Sequence, residues 1–222
     1  MTAASTDAAP SGLATQAGAP TKGNRTRRRL LDAAAAEVAR HGRAGASLTA
    51  IAAAAGLKPG SIYFHFGSRD QLIDAMLEEG LRESLARLDR ALAEVTQPGD
   101  PHARLQAAIR AHLDALADLR DYASVVLAPA LALEGPPGAA FRALRGTYLR
   151  QWSALVADAQ AGGLMAAGVP PKTVRDLLLG ALNHAGLAGR PPAETAAAIE
   201  RLILLPPAPT RPTAHPQEHR HE

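Results

Sequence analysis

Apolar positions recur at helical spacing through most of the chain. Leu30, Leu31, Ala34, Val38 and Ala39 return about every fourth residue and predict a helix over 24–40 with one apolar stripe. Asn24 or Thr26 would cap its start, and His41-Gly42 would end it, because glycine takes a left-handed terminal conformation without steric cost. Leu48, Ile51 and the alanines at 52–55 predict a short second helix, capped by Ser47 and stopped by Gly56. Leu57 then plugs the turn. Pro59 suits the first turn of a third helix, where a missing N–H costs nothing. Ile62 and Phe66 lie four apart and would face a core, which puts Tyr63 on another face. Gly67 breaks this helix, and Ser68-Arg69-Asp70-Gln71 has the S-x-x-Q form of a capping box. Leu72, Ile73, Met76, Leu77, Leu81, Leu85, Leu88 and Leu92 then carry a helical period to about residue 95, a rod of about 40 Å.

The rest repeats the pattern with different punctuation. Pro98-Gly99-Asp100-Pro101 is a turn, and Leu105, Ala108, Ile109, His112, Leu113, Leu116 and Leu119 stripe a helix over 101–120. Residues 122–133 are apolar with Pro129 inside, a predicted kink, and 134–138 is a Gly/Pro break. Phe141, Leu144, Tyr148, Leu149, Trp152, Leu155 and Val156 mark the buried side of a helix over 139–161, ended by Gly162-Gly163. Two further helices are predicted over 171–186 and 193–205, separated by Arg190-Pro191-Pro192. No segment alternates as a strand does. The expected fold class is all-α, with about nine helices. A three-helix helix-turn-helix unit over 23–69 precedes a larger helical body over 70–205. The Ala/Gly/Pro-rich ends, 1–22 and 206–222, read as disordered tails.

Composition narrows the function. Apolar residues supply 47% of the 222, but aromatics only 3%, so alanine and leucine build the helices. There are no cysteines, which excludes disulfides, thiol nucleophiles and thiolate metal sites. His215, His219 and His221 sit in the tail, and no metal site is expected. The N-terminus lacks the layout of a signal peptide, and no apolar run reaches the ~18 residues of a membrane span. A cytoplasmic protein with no membrane partner is expected. The chain contains no G-x-S-x-G, P-loop or H-E-x-x-H, so neither catalysis nor a cofactor is expected. Charge is uneven. Residues 22–69 hold nine Lys/Arg against Asp32 and Glu37, a balance of +7; the whole chain is +3, leaving −4 elsewhere. A basic head on a mildly acidic body is the footprint of a phosphate binder.

The head also carries a long motif in register: Arg40-His41-Gly42, Ser47-Leu48-Thr49-Ala50-Ile51-Ala52, Ala55-Gly56-Leu57, Gly60-Ser61-Ile62-Tyr63-Phe64-His65-Phe66 and Ser68-Arg69-Asp70-Gln71-Leu72. Over residues 26–77 it resembles the DNA-binding domain of TetR-type (tetracycline-repressor-like) transcriptional regulators. The resemblance implies that Ser47 and Thr49 touch phosphates or base edges. It places Lys58, Gly60, Ser61 and Tyr63 in or beside the major groove, and His65 and Arg69 on the DNA backbone. Arg27 and Arg28, within the run 27–29, would neutralise phosphates. Each has a plainer reading: Tyr63 as half-buried packing, His65 as a surface or cap residue, the arginines as a solvated face. Lys58 and Pro59 depart from the family, which usually has a capping Ser or Thr at the first position and often Lys at the second.

In the body the resemblance implies a dimer built from the last two helices. Its contacts would come from Leu177, Gly180, Ala181, Ile199, Leu202 and Ile203; the alternative is that these helices only finish a monomer core. It also implies a ligand pocket among the middle helices. Tyr122, Val126, Phe141, Tyr148 and Trp152 are candidate walls, and His112 or Arg145 would orient a polar head group. Tyr148 and Trp152 read equally well as core. Arg150-Gln151-Trp152 to Leu182-Asn183 is similar to a TetR subgroup that senses acyl-CoA compounds, though His184-Ala185-Gly186 replaces its aromatic positions. The function expected is a ligand-responsive regulator, most simply a repressor: a homodimer released from a palindromic double-stranded operator by a small apolar effector. An architectural or nonspecific DNA binder is the competing expectation, although it would have little use for so large an apolar body.

Overall fold

A computed structural model of the protein describes residues 21–128 and 138–204. Among these residues it is entirely helical. The elements are α1 (Lys22–Gly45), α2 (Leu48–Ala54), a 3₁₀ helix (Pro59–Phe64), α3 (Arg69–Ala93), α4 (Pro101–Asp118), α5 (Arg120–Val126), α6 (Ala139–Ala161), α7 (Pro171–Leu187) and α8 (Pro192–Ile203). The expected tails lie outside the described residues, except that Thr21 and Lys22 belong to the first helix. So do the proline kink at 129, most of the break before α6, and Leu205.

Local signals set most boundaries. The hydroxyl of Thr21 accepts the N–H of Asn24 at 3.2 Å, so α1 starts two residues before the expected position and under a different cap. The helix breaks at Gly42, whose φ of 70° is left-handed, and a further turn carries the chain to Gly45. Ser47 caps α2 by accepting the N–H of Ala50 at 3.3 Å. Ser68 caps α3, its hydroxyl accepting the N–H of Gln71 at 3.1 Å, while the side-chain Oε1 of Gln71 accepts the N–H of Gly67 at 2.9 Å. The capping box therefore closes one residue earlier than its usual form.

Three expectations change. The element after Pro59 is a 3₁₀ helix: Lys58 supplies no side-chain cap, and bonds such as Ser61 N–H to the Lys58 carbonyl span three residues. The helix expected over 101–120 divides at Leu119 (φ −106°, ψ 35°), with α5 turning away beyond it. Ala39, placed on the apolar stripe of α1, is exposed, because that stripe narrows before Gly42.

α3 organises the molecule. It packs on α1 behind the helix-turn-helix unit and on α4, α5 and α6 in the body. At 25 residues it is about 38 Å long. Leu72, Ile73, Met76 and Leu77 near its start are fully buried with Leu30, Leu31, Ile51 and Ile62. The core of the head is thus completed by the first turns of a rod that continues into the body, and one hydrophobic cluster runs from Leu30 to Ile199. α5 packs against α1, joining head and body a second time.

Candidate DNA-binding face and ligand cavity

The 3₁₀ helix presents a row of accessible groups. Ile62 is 1% exposed and anchors it, while Tyr63 is 61% and Phe64 91% exposed. Lys58 and Gly60 are exposed and Ser61 half-buried. Nothing lies within 4 Å of where a Cβ on Gly60 would stand, so a backbone can approach closely there. Ser47 and Thr49 are exposed at the start of α2. The Ser47 oxygen is occupied as a cap, which leaves its O–H free to donate. His65 is half-buried beside Phe66. Phe64 was missed by sequence reasoning. The signal was present: it fits no apolar stripe, because Ile62 and Phe66 already supply the buried side.

The other sequence-selected cations do structural work. The Arg27 guanidinium lies over the Phe66 ring at 5.2 Å. Arg69 donates from Nε to the Ala46 carbonyl at 3.1 Å, bracing the start of α3 against the loop before α2. Arg28 is held by groups of α1, α3 and α5. It donates to Asp32 and to Glu79 of α3, each at 3.0 Å, and stands over the Tyr122 ring at 5.9 Å. Tyr122, from α5, donates its hydroxyl to Asp32 at 2.7 Å. Burial and the adjacent carboxylate push the Tyr122 phenol well above its ordinary range, so it stays a protonated donor. Arg28, Asp32, Glu79 and Tyr122 form a polar knot between head and body.

Tyr122 also lines a partly open cavity of about 280 Å³ between α3, α4, α5, α6 and α7. Its ring rests against α3 at Gly80, where a Cβ would stand 2.8 Å from Tyr122 Cδ1. Leu81, Ala115, Leu116, Leu119, Val126, Leu149 and Leu179 make most of the wall apolar. Arg145 and Asp176 line it too, on exposed positions of α6 and α7. His112, Tyr148 and Asn183 supply a polar patch. His112 Nδ1 stands 2.7 Å from the Tyr148 hydroxyl, and Nε2 2.9 Å from Asn183 Oδ1. Burial pulls the His112 imidazole down to about 4, against the opposing hydrogen bond from Asn183; it is neutral near pH 7. Burial pushes the Tyr148 phenol up. Phe141 and Trp152 are buried but do not line the cavity. Trp152 stands behind it, edge-on to His112 with ring centroids 5.7 Å apart. Asn183 was not among the sequence candidates, since only its pairing with Leu182 marked it.

The outer faces of α7 and α8 carry apolar groups with no partner among the described residues. Leu177 is 71% and Leu202 84% exposed. Gly180 and Ala181 are exposed beside Leu177, whereas Ile203 is half-buried against the protomer's own core. Ile199 is 7% exposed and belongs to the protomer's own core, where α8 packs on α4.

Comparisons with known proteins decide the family. The model described as "Bacterial regulatory proteins, tetR family" matches residues 30–76, and "Tetracyclin repressor-like, C-terminal domain" matches 98–186. The chain belongs to the TetR family. As a TetR-type transcriptional regulator it has a helix-turn-helix DNA-binding domain and a C-terminal ligand-binding domain. No curated protein matches the chain. Among solved structures it is similar to AibR, solved with isovaleryl coenzyme A and operator DNA: 21% identity, 82% of this chain, 99% of that one, TM-score 0.69. It is also similar to KstR2 of Mycobacterium tuberculosis, a ketosteroid transcriptional regulator (20%, 81% and 95%, TM-score 0.68). A third is FadR of Bacillus subtilis with stearoyl-CoA (17%, 79% and 96%, TM-score 0.63). At these identities the likeness establishes a shared fold for the TetR-type chain. Among its described residues no helix is long and apolar enough to cross a membrane.

Proposed function

We propose that this TetR-type regulator is a repressor that binds a palindromic operator as a homodimer and is released by a small apolar effector. Acyl-CoA thioesters are the first class to test, because AibR and FadR of Bacillus subtilis were solved with such molecules. The observation that carries the reading is the position of Tyr122. One side of its ring faces the cavity, and its hydroxyl holds Asp32 of α1. An occupant that displaces the ring pulls on the helix that carries the DNA-binding head. The exposed Lys58, Gly60, Tyr63 and Phe64, with the half-buried Ser61 between them, enter the major groove. Ser47, Thr49 and His65 contact phosphates at its edges, and the apolar faces of α7 and α8 pair two chains. A two-fold pair sets two reading helices about 34 Å apart, hence the palindrome. To invert an operator occupancy of 99:1, the effector must prefer the released conformer by about 5.5 kcal/mol.

Fluorescence anisotropy with labelled DNA from the region upstream of the gene tests this, with isovaleryl-CoA and stearoyl-CoA as probes. The expected result is sequence-selective binding that one probe weakens. Binding with no preferred site would instead establish an architectural role, and selective binding indifferent to every apolar probe would refute release by such an effector.

A further inference from the structure

The polar patch in the cavity has a composition that constrains what it can recognise. His112, Tyr148 and Asn183 come from α4, α6 and α7 and meet only because these helices pack together. His112 and Tyr148 are buried, and Asn183 is half-buried. A neutral imidazole donates from one ring nitrogen and accepts at the other, so the three side chains form a directional relay with two settings. In one, Nε2–H donates to Asn183 Oδ1 and the Tyr148 O–H donates to Nδ1. The amide N–H of Asn183 and a lone pair on Tyr148 are then left over. In the other, the Asn183 amide is reversed and donates to Nε2, while Nδ1–H donates to the Tyr148 oxygen. The Tyr148 O–H and the Asn183 oxygen are then left over. Either setting leaves at least one donor and one acceptor for the cavity, and neither carries formal charge.

Resting on the reading of an effector-binding cavity, we propose that His112, Tyr148 and Asn183 form a recognition site for an uncharged oxygen function on the apolar effector, a hydroxyl or a ketone. A hydroxyl uses both leftover groups and a ketone uses the donor. A hydrocarbon end uses neither and leaves buried polar groups without partners. A carboxylate would bring a charge to a patch that holds no cation. Arg145 lines the same cavity from an exposed position on α6, so it is the group that would take a carboxylate if the patch did not govern selection.

The chain offers a reporter at the site. Trp152 is its only tryptophan and stands edge-on to His112. The full-length protein is titrated with four probes of equal chain length: octane, 1-octanol, 2-octanone and octanoate. Trp152 fluorescence follows binding and ligand-observed NMR checks it. Wild type is expected to bind 1-octanol and 2-octanone about tenfold more tightly than octane or octanoate, the factor one neutral hydrogen bond provides. Asn183→Leu, at a half-buried position, is expected to reduce this preference to within about threefold, and so is Tyr148→Phe. Octanoate as the tightest probe, equal binding of octane and octanone, no binding by any probe, or a preference surviving both substitutions would each overturn the proposal. The same samples are tested for operator binding. A selective DNA binder without the octanone preference sinks this inference alone, whereas a protein with that preference and no operator sinks the regulatory reading alone.

Discussion

Replacing Tyr122 with phenylalanine isolates the tie between cavity and head. The substitution keeps the ring that fills the space over Gly80 and removes only the hydroxyl that donates to Asp32 at 2.7 Å. A hydrogen bond to a charged acceptor contributes about 1.5–3 kcal/mol. Asp32 is half-exposed, with 50% of its side-chain area accessible, and keeps its bond to Arg28. Water therefore replaces part of the loss, and the net cost is about 1 kcal/mol, or a Tm lowered by about 2–4 °C. If the hydroxyl holds α1 in its DNA-binding pose, a loss of that size weakens ligand-free operator binding about fivefold. Anisotropy measures this, and hydrogen exchange across α1 gives a readout that needs no ligand. Exchange is expected to rise over 28–38 in the variant and to change little in α7. Asp32→Asn is expected to act through the same bond, so the double variant adds little to either single one. Unchanged exchange in α1 with unchanged operator affinity would refute the idea that the cavity wall positions the head.

Four further outcomes are expected. His112 takes up a proton near pH 6.5 when unfolded and only near 4 when folded. Stability is complete above the higher value and is lost as pH falls toward the lower, by about 2 kcal/mol between roughly pH 7 and 5; in urea titrations His112→Gln should lose that much of the slope, and identical slopes would contradict it. Leu177→Glu and Leu202→Glu place charges on exposed apolar positions of α7 and α8, and sedimentation should show monomers whose helical content is unchanged. Gly186→Ala sets a Cβ 2.5 Å from Leu116 Cδ1, so overpacking of about 1–3 kcal/mol should outweigh a helix-propensity gain of about 1 kcal/mol; a higher Tm would refute this. Phe64→Ala and Lys58→Ala alter exposed side chains and should weaken operator binding severalfold while moving Tm by less than about 2 °C.

Signals that act over three or four residues were legible in the sequence. Ser47, Gly56, Ser68 with Gln71, and Gly162-Gly163 each mark a helix end by chemistry that needs no distant partner. The register of the helix-turn-helix motif follows from them. The division at Leu119 was not legible, because neither Pro nor Gly stands there and packing of α5 on α1 turns the chain instead. The polar knot was equally hidden: Arg28 meets Glu79 across 51 residues, and Tyr122 meets Asp32 across 90. In the cavity, His112 and Tyr148 stood out as polar atoms on apolar stripes. Asn183 became visible only when α7 was set against α4.

The arginines of the head bear on how the protein searches for its target. Arg28, Arg29, Arg43 and Arg69 are bound to Asp32 and Glu79, to the Ala55 carbonyl, to Asp70 and Asp74, and to the Ala46 carbonyl. Their guanidinium groups are engaged by the protein's own acceptors, so fewer counterions are expected to leave a bound duplex than the number of basic residues implies. Nonspecific grip is then expected to fall with added salt less steeply than nine Lys/Arg would give. Under the proposed operator binding, residence would then depend on the fit of a short, tight helix into the right groove.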